Sequence, residues 1–162
     1  MSTLAYGQRG LTLVEVALAA GIIAVGLAGL VATVPLSAYG IQEGSQLSTA
    51  TFLAGQRLEQ VRMAVWTATP PRDDLGLSPS ADAPPAVDGI TSFPDESPVA
   101  APYTQYSRRV RVMDCGTGPG CAGVLADGLR QVTVTVSYAP LTGVGRSPSS
   151  KSAVLTLLLA RR

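Results

Sequence analysis

The chain has 162 residues, with 12 Lys and Arg against 11 Asp and Glu, a formal net charge of +1 and no histidine. That balance lacks the basic footprint of a nucleic-acid-binding protein. The missing histidine excludes Ser-His-Asp and Cys-His sites and removes the commonest metal ligand at neutral pH, leaving carboxylate, Ser-Lys or Lys chemistry open, with Lys151 the sole lysine.

Residues 1–10, MSTLAYGQRG, carry one basic side chain, Arg9, and residues 11–41 hold a single charge, Glu15. Such a run exceeds the roughly 20 residues that an α-helix needs to cross a bilayer. It is also longer than the apolar core of a secretory signal peptide, about 7–15 residues. No basic residue follows until Arg57, so the positive-inside bias puts the N-terminus in the cytoplasm and the remainder outside. An ionisable group inside lipid costs on the order of 2–3 kcal/mol at the bilayer centre and less near an interface, which makes Glu15 a candidate functional residue. The span offers it no cation. Its partner is therefore another molecule, an N-terminal amine or interfacial water.

The run Gly10-Leu11-Thr12-Leu13-Val14-Glu15, behind its short basic leader, resembles the signature of type IV prepilins and pseudopilins. The resemblance implies that a prepilin peptidase of the inner membrane cuts between Gly10 and Leu11 and methylates the new N-terminus, Leu11, where the family most often has Phe. It implies that Glu15 neutralises the N-terminal amine of a neighbouring subunit during assembly, with Thr12 and Leu13 completing the signature. The implied partners are that peptidase, other major and minor pilin or pseudopilin subunits, an inner-membrane assembly platform and the lipid bilayer. No cofactor or metal is implied. The implied fold is α+β and pilin-like, a long N-terminal helix packed on a small antiparallel β-sheet, the first half of the helix spanning the membrane.

Within residues 11–41, Ala20, Ala24, Ala28 and Ala32 recur every fourth position beside Ala17, Gly21 and Gly29. Small-residue rows of this kind let helices approach closely in lipid. Pro35 should kink or locally open the helix. Over residues 42–66, Leu47, Ala50, Ala54, Leu58, Val61 and Val65 form one apolar face of an amphipathic helix, with Gln46, Gln56, Arg57, Glu59, Gln60 and Arg62 largely off it. Pro70-Pro71 should end it.

Residues 67–102 contain eight of the twelve prolines and six of the eleven acidic residues, and read as an irregular loop. The spacing of Asp73-Asp74, Asp82, Asp88 and Asp95-Glu96 does not match an EF-hand, so no metal is expected there. From 103 to 162 the period changes to two. Three strands are expected: 106–113 with an arginine-bearing face (Arg108, Arg109, Arg111), 131–138 with alternating valines, and a buried strand at 153–159. Together they predict an antiparallel sheet covered by the amphipathic half of the helix. Cys115 and Cys121 flank a five-residue Gly-rich turn between the first two strands. That spacing is wrong for CxxC, and two cysteines without histidine make a poor zinc site, so a structural disulfide is predicted.

For function, the stretches Glu15-Val16, Ile22-Ile23-Ala24-Val25-Gly26-Leu27 and residues 53–62, LAGQRLEQVR, resemble V-type minor pilins of a type IV pilus. The I-type pseudopilins of type II secretion systems share both. A membrane-anchored periplasmic enzyme or binding protein is the remote alternative. Gly116-Thr117-Gly118-Pro119-Gly120 reads as a turn, since no Lys-Ser/Thr follows to make a P-loop.

Overall fold

The computed structural model describes residues 12–117, 121, 123–140 and 149–162, leaving aside the side chains at 32 and 34–37. The leader, Gly10 and Leu11 lie outside the described residues. The chain is α+β: one helix, α1 (Leu13–Met63), precedes β1 (Trp66–Thr67), β2 (Arg72–Asp73), β3 (Ala86–Val87), β4 (Ile90–Thr91), β5 (Tyr106–Asp114), β6 (Leu129–Tyr138) and β7 (Lys151–Ala160). It divides into two compact units, Met1–Ile41 and Gln42–Arg162.

In the first unit, Leu13–Val31 is long and apolar enough to cross a membrane. Its side chains have nothing to bury against, and Leu13, Val14, Leu18, Ile22, Val25 and Leu30 are all exposed. The backbone stays helical through Pro35 rather than opening there. At its other end α1 tightens, the Ala64 N–H donating to the Val61 carbonyl. Trp66 is already in β1, opposite Asp73, so the helix stops short of the expected residue 66.

The second unit is built on the antiparallel sheet β5-β6-β7. Alternation along β6 is strict, with Val132, Val134, Val136 and Tyr138 buried and the residues between them half-exposed. Each buried valine contributes about 1.5–2 kcal/mol of apolar transfer. Ala50, Leu53, Ala54 and Val61 of α1 join these valines, Tyr106, Val110 and Val112 in one core. The buried helix stripe runs through Gln46, Ala50, Leu53, Ala54 and Val61. The expected face is kept at Ala50, Ala54, Leu58 and Val61, and its first member, Leu47, turns outward at 48% exposed. Gln46 is buried beside them, and its backbone carbonyl accepts the Tyr106 hydroxyl at 3.4 Å.

One expectation is corrected. The final strand, β7, is not a buried strand: it is the sheet edge, only Ala153 is buried, and Val154 and Leu158 face outward. Its inward set, Leu155 and Leu159, only partly reaches the core. Residues 67–102 have little regular structure: the ribbon β3-β4, and β2 paired with β1 at the start of the segment. The β3-β4 ribbon turns through Asp88 (φ 49°) and Gly89 (φ 81°). A two-residue turn with both φ values positive matches the twist of the strands it joins, and Asp-Gly is its preferred sequence. Leu75, Pro85 and Val99 bury their side chains and fasten the segment to the core.

Candidate assembly site and the clamps behind it

Thr12 is the N-cap of α1. Its carbonyl accepts the Glu15 and Val16 N–H groups at 3.0 and 3.2 Å, and its Oγ1 lies 3.3 Å from the Glu15 nitrogen. Thr12 and Glu15 stand in the T-x-x-E spacing of a capping box, and Glu15 occupies the first helical turn, where the partial positive charge of the unpaired N–H groups favours a carboxylate. Two of the signature positions thus have a physical role in starting the helix. Among the described residues no side chain pairs with the Glu15 carboxylate. The expected scissile bond, Gly10–Leu11, lies outside the described residues.

The glycines of the small-residue rows are open: a Cβ built at Gly21 or Gly29 meets nothing within 4 Å beyond the adjoining helix backbone.

In the second unit the three arginines of β5 do not share a face. Arg108 points inward beside Tyr106 and Val110 and is buried, Arg109 is exposed, and Arg111 lies half-buried on the outer face. Arg108 reaches Glu96 through Nη2 at 2.7 Å and Nε at 3.1 Å. Its Nη1 donates to the Leu53 carbonyl at 3.1 Å, so one guanidinium joins helix, sheet and loop. Arg57 of α1 approaches the same Glu96 at 3.3 Å, donates to the Pro94 carbonyl and lies 5.4 Å from the Phe93 ring centre. Burial, and then the neighbouring Arg108, hold the Arg57 guanidinium below its ordinary pKa, although Glu96 acts in the opposite sense.

Two more clamps follow the same pattern. Arg111 forms a two-pronged pair with Asp95 at 2.7 and 2.8 Å, and its hydrogen bonds hold that carboxyl below the usual carboxylate range. Arg130 pairs with Asp73 at 2.7 and 2.8 Å and lies 4.2 Å over the Trp66 ring. Burial alone would raise the Asp73 carboxyl, but Arg130 and the amides of Gly76 and Leu75 outweigh it and leave the net shift downward. Planar, bidentate pairing is what guanidinium does better than ammonium, in keeping with eleven of the twelve basic residues being arginine.

Cys115 and Cys121 form a disulfide, and both are fully buried. It sits at the end of β5, where the Cys115 N–H donates to the Leu129 carbonyl. An open cavity of about 630 Å³ is lined by Trp66, Arg72, Asp73, Asp88, Asp114 and Arg130 among others. Its Arg72–Asp74 and Arg130–Asp73 pairs are already neutralised internally. Among the described residues no group of three or more carboxylates or cysteines is placed to hold a metal ion.

No family model matches the chain, and neither a curated protein nor a solved structure does. Sequence reasoning missed the clamps. The available signal was complementary composition, acidic residues concentrated in a proline-rich segment and arginines in the elements flanking it.

Proposed function

We propose that this protein is a minor subunit of a type IV pilus, made as a prepilin, cut between Gly10 and Leu11, and assembled through its N-terminal helix rather than acting as an enzyme. The observation that carries the reading is a lone carboxylate, Glu15, in the first turn of an apolar helix long enough to cross a membrane, directly behind the Gly-Leu-Thr-Leu-Val-Glu run. A charge pair inside lipid is tolerable where a lone carboxylate is costly, and the freed amine of a neighbouring subunit would supply the cation. On this reading the chain starts as a single-pass inner-membrane protein with Gln42–Arg162 in the periplasm, and then moves into the filament. The absence of histidine and the buried disulfide suit an exported scaffold.

The pseudopilin of a type II secretion system is the second reading, and the long insertion at 67–102 favours the pilus over it. Co-expression with a prepilin peptidase should shorten the chain by ten residues, and Gly10→Val should block the cut. Glu15→Ala should be processed normally yet be lost from purified filaments. A native N-terminus found at Met1 would defeat the proposal. Deleting the gene and scoring twitching against enzyme secretion separates the two machines.

A further inference from the structure

Alternation along β5 and β6 turns Arg111, Met113, Gln131 and Thr133 to the outer face of the main sheet. The register sets Arg111 beside Thr133 and Met113 beside Gln131, so the four form one square. The segment before β3 is tied to β5 next to it. Ser78 donates its N–H to the Val112 carbonyl at 2.9 Å and accepts the Val112 N–H on Oγ at 3.0 Å. Three residues on, Arg111 Nε donates to the Ala81 carbonyl at 2.9 Å. Between these ties lies a cavity of about 400 Å³, walled by Ser78 and Ala81 and floored by the square of outward side chains.

The cavity offers a ligand no free charge. All five N–H groups of Arg111 have acceptors at 2.6–2.9 Å: the Ala81, Asp82 and Val110 carbonyls and both oxygens of Asp95. A guanidinium engaged in this way presents only its methylene stem to a neighbour. Gln131 is the opposite case. Its Nε2 reaches only Thr133 Oγ1, at a long 3.5 Å, and its Oε1 is buried with no hydrogen-bond partner among the described residues. Buried polar atoms are nearly always paired, and each exception needs a cause. The last torsion of a glutamine is broad and two-fold, so rotation about it turns the oxygen from its present position into the cavity.

We infer that this cavity binds a small neutral aromatic molecule of the phenol class, its hydroxyl donating to Gln131 Oε1. The volume is at the lower end for ligand pockets, about 300–1,000 Å³, which suits a single ring. Met113 is exposed and sets a polarisable thioether on the floor, and sulfur makes favourable contacts with aromatic rings. An anion would find the one cation already engaged by Asp95, and no carboxylate lines the cavity to receive a cation. Such a site lies wholly within Gln42–Arg162 and is independent of how the chain is anchored or assembled.

The test is methyl NMR on the full chain in detergent micelles, labelled at methionine, with phenol as the probe. The Met113 methyl signal should shift saturably, while that of Met63, exposed on α1 and not lining the cavity, stays in place. Anisole has the ring without the donor and cyclohexanol the donor without the ring, and each should bind at least about ten-fold more weakly than phenol. Gln131→Leu should bring phenol and anisole to the same affinity. Ala81→Leu, which fills the cavity from an exposed loop position, should abolish the Met113 shift. No saturable shift at Met113, an equal shift at Met63, or anisole or cyclohexanol binding as tightly as phenol to the unaltered chain overturns the inference, without recourse to any variant. So does Gln131→Leu that still prefers phenol to anisole, or Ala81→Leu that binds phenol like the unaltered chain.

Discussion

Replacing Glu96 by Gln tests whether the arginine clamps hold the second unit together. Arg108 and Arg57 both point at this carboxylate, and their side chains are 8% and 12% exposed against 26% for Glu96. Removing one partner of a buried pair costs about 3–5 kcal/mol, because a charge is left behind without compensation. Here two guanidinium groups would face each other. Arg108 keeps the Leu53 carbonyl and Gln56, Gln still offers one acceptor, and solvent reaches Glu96, so about 2–3 kcal/mol is the expected loss. With about 2.1 cal/mol/K of unfolding entropy per residue over Gln42–Arg162, the melting temperature should fall by about 8–12 °C. Trp66, the only tryptophan, is buried under Arg130, so its fluorescence reports unfolding of the full chain in micelles. Glu59→Gln is the control, because its pair with Arg62 is more than half exposed and such pairs contribute about 0–1 kcal/mol. A melting temperature for Glu96→Gln no lower than that of Glu59→Gln would refute the reasoning.

Acid should loosen the same region. Asp73 and Asp95 have folded carboxyls below their ordinary value of 3.8. Groups depressed on folding add stability above the unfolded pKa and lose it as pH falls through the folded one, so the urea midpoint should drop below about pH 4, and less so in Asp73→Asn/Asp95→Asn. Changing both cysteines to serine should cost about 2 kcal/mol for a cross-link spanning six residues, read as a lower urea midpoint. Gly76→Ala should cost about 1–3 kcal/mol by the same assay. Gly76 has φ +74° and an added Cβ would sit 2.7 Å from the Ala86 carbonyl oxygen, so both backbone and space oppose it.

The elements with a clean period were legible in the sequence. Alternating valines placed β6, the apolar run placed the first stretch of α1, and the Cys115–Cys121 spacing led to the disulfide. What escaped depended on long-range partners. Leu47 and Leu53 are equally apolar, and only the position of Tyr106 against the helix decides that Gln46 and Leu53 turn inward. The β7 run looks buried by composition, yet being last in the sheet exposes half of it. Proline content concealed an Asp88-Gly89 hairpin that the local sequence did encode.

The clamped segment also has a consequence for labelling the protein. Asp73, Leu75, Pro85, Asp95, Glu96 and Val99 fasten it at intervals. The Asp88-Gly89-Ile90 tip between those fasteners is exposed and has nothing within 4 Å of a Cβ built at Gly89. Loop length adds little closure entropy, about 0.6 kcal/mol per doubling. An epitope or fluorophore tag inserted after Asp88 would therefore leave the clamps closed, keep the core intact, and mark the protein without touching either the helix or the main sheet.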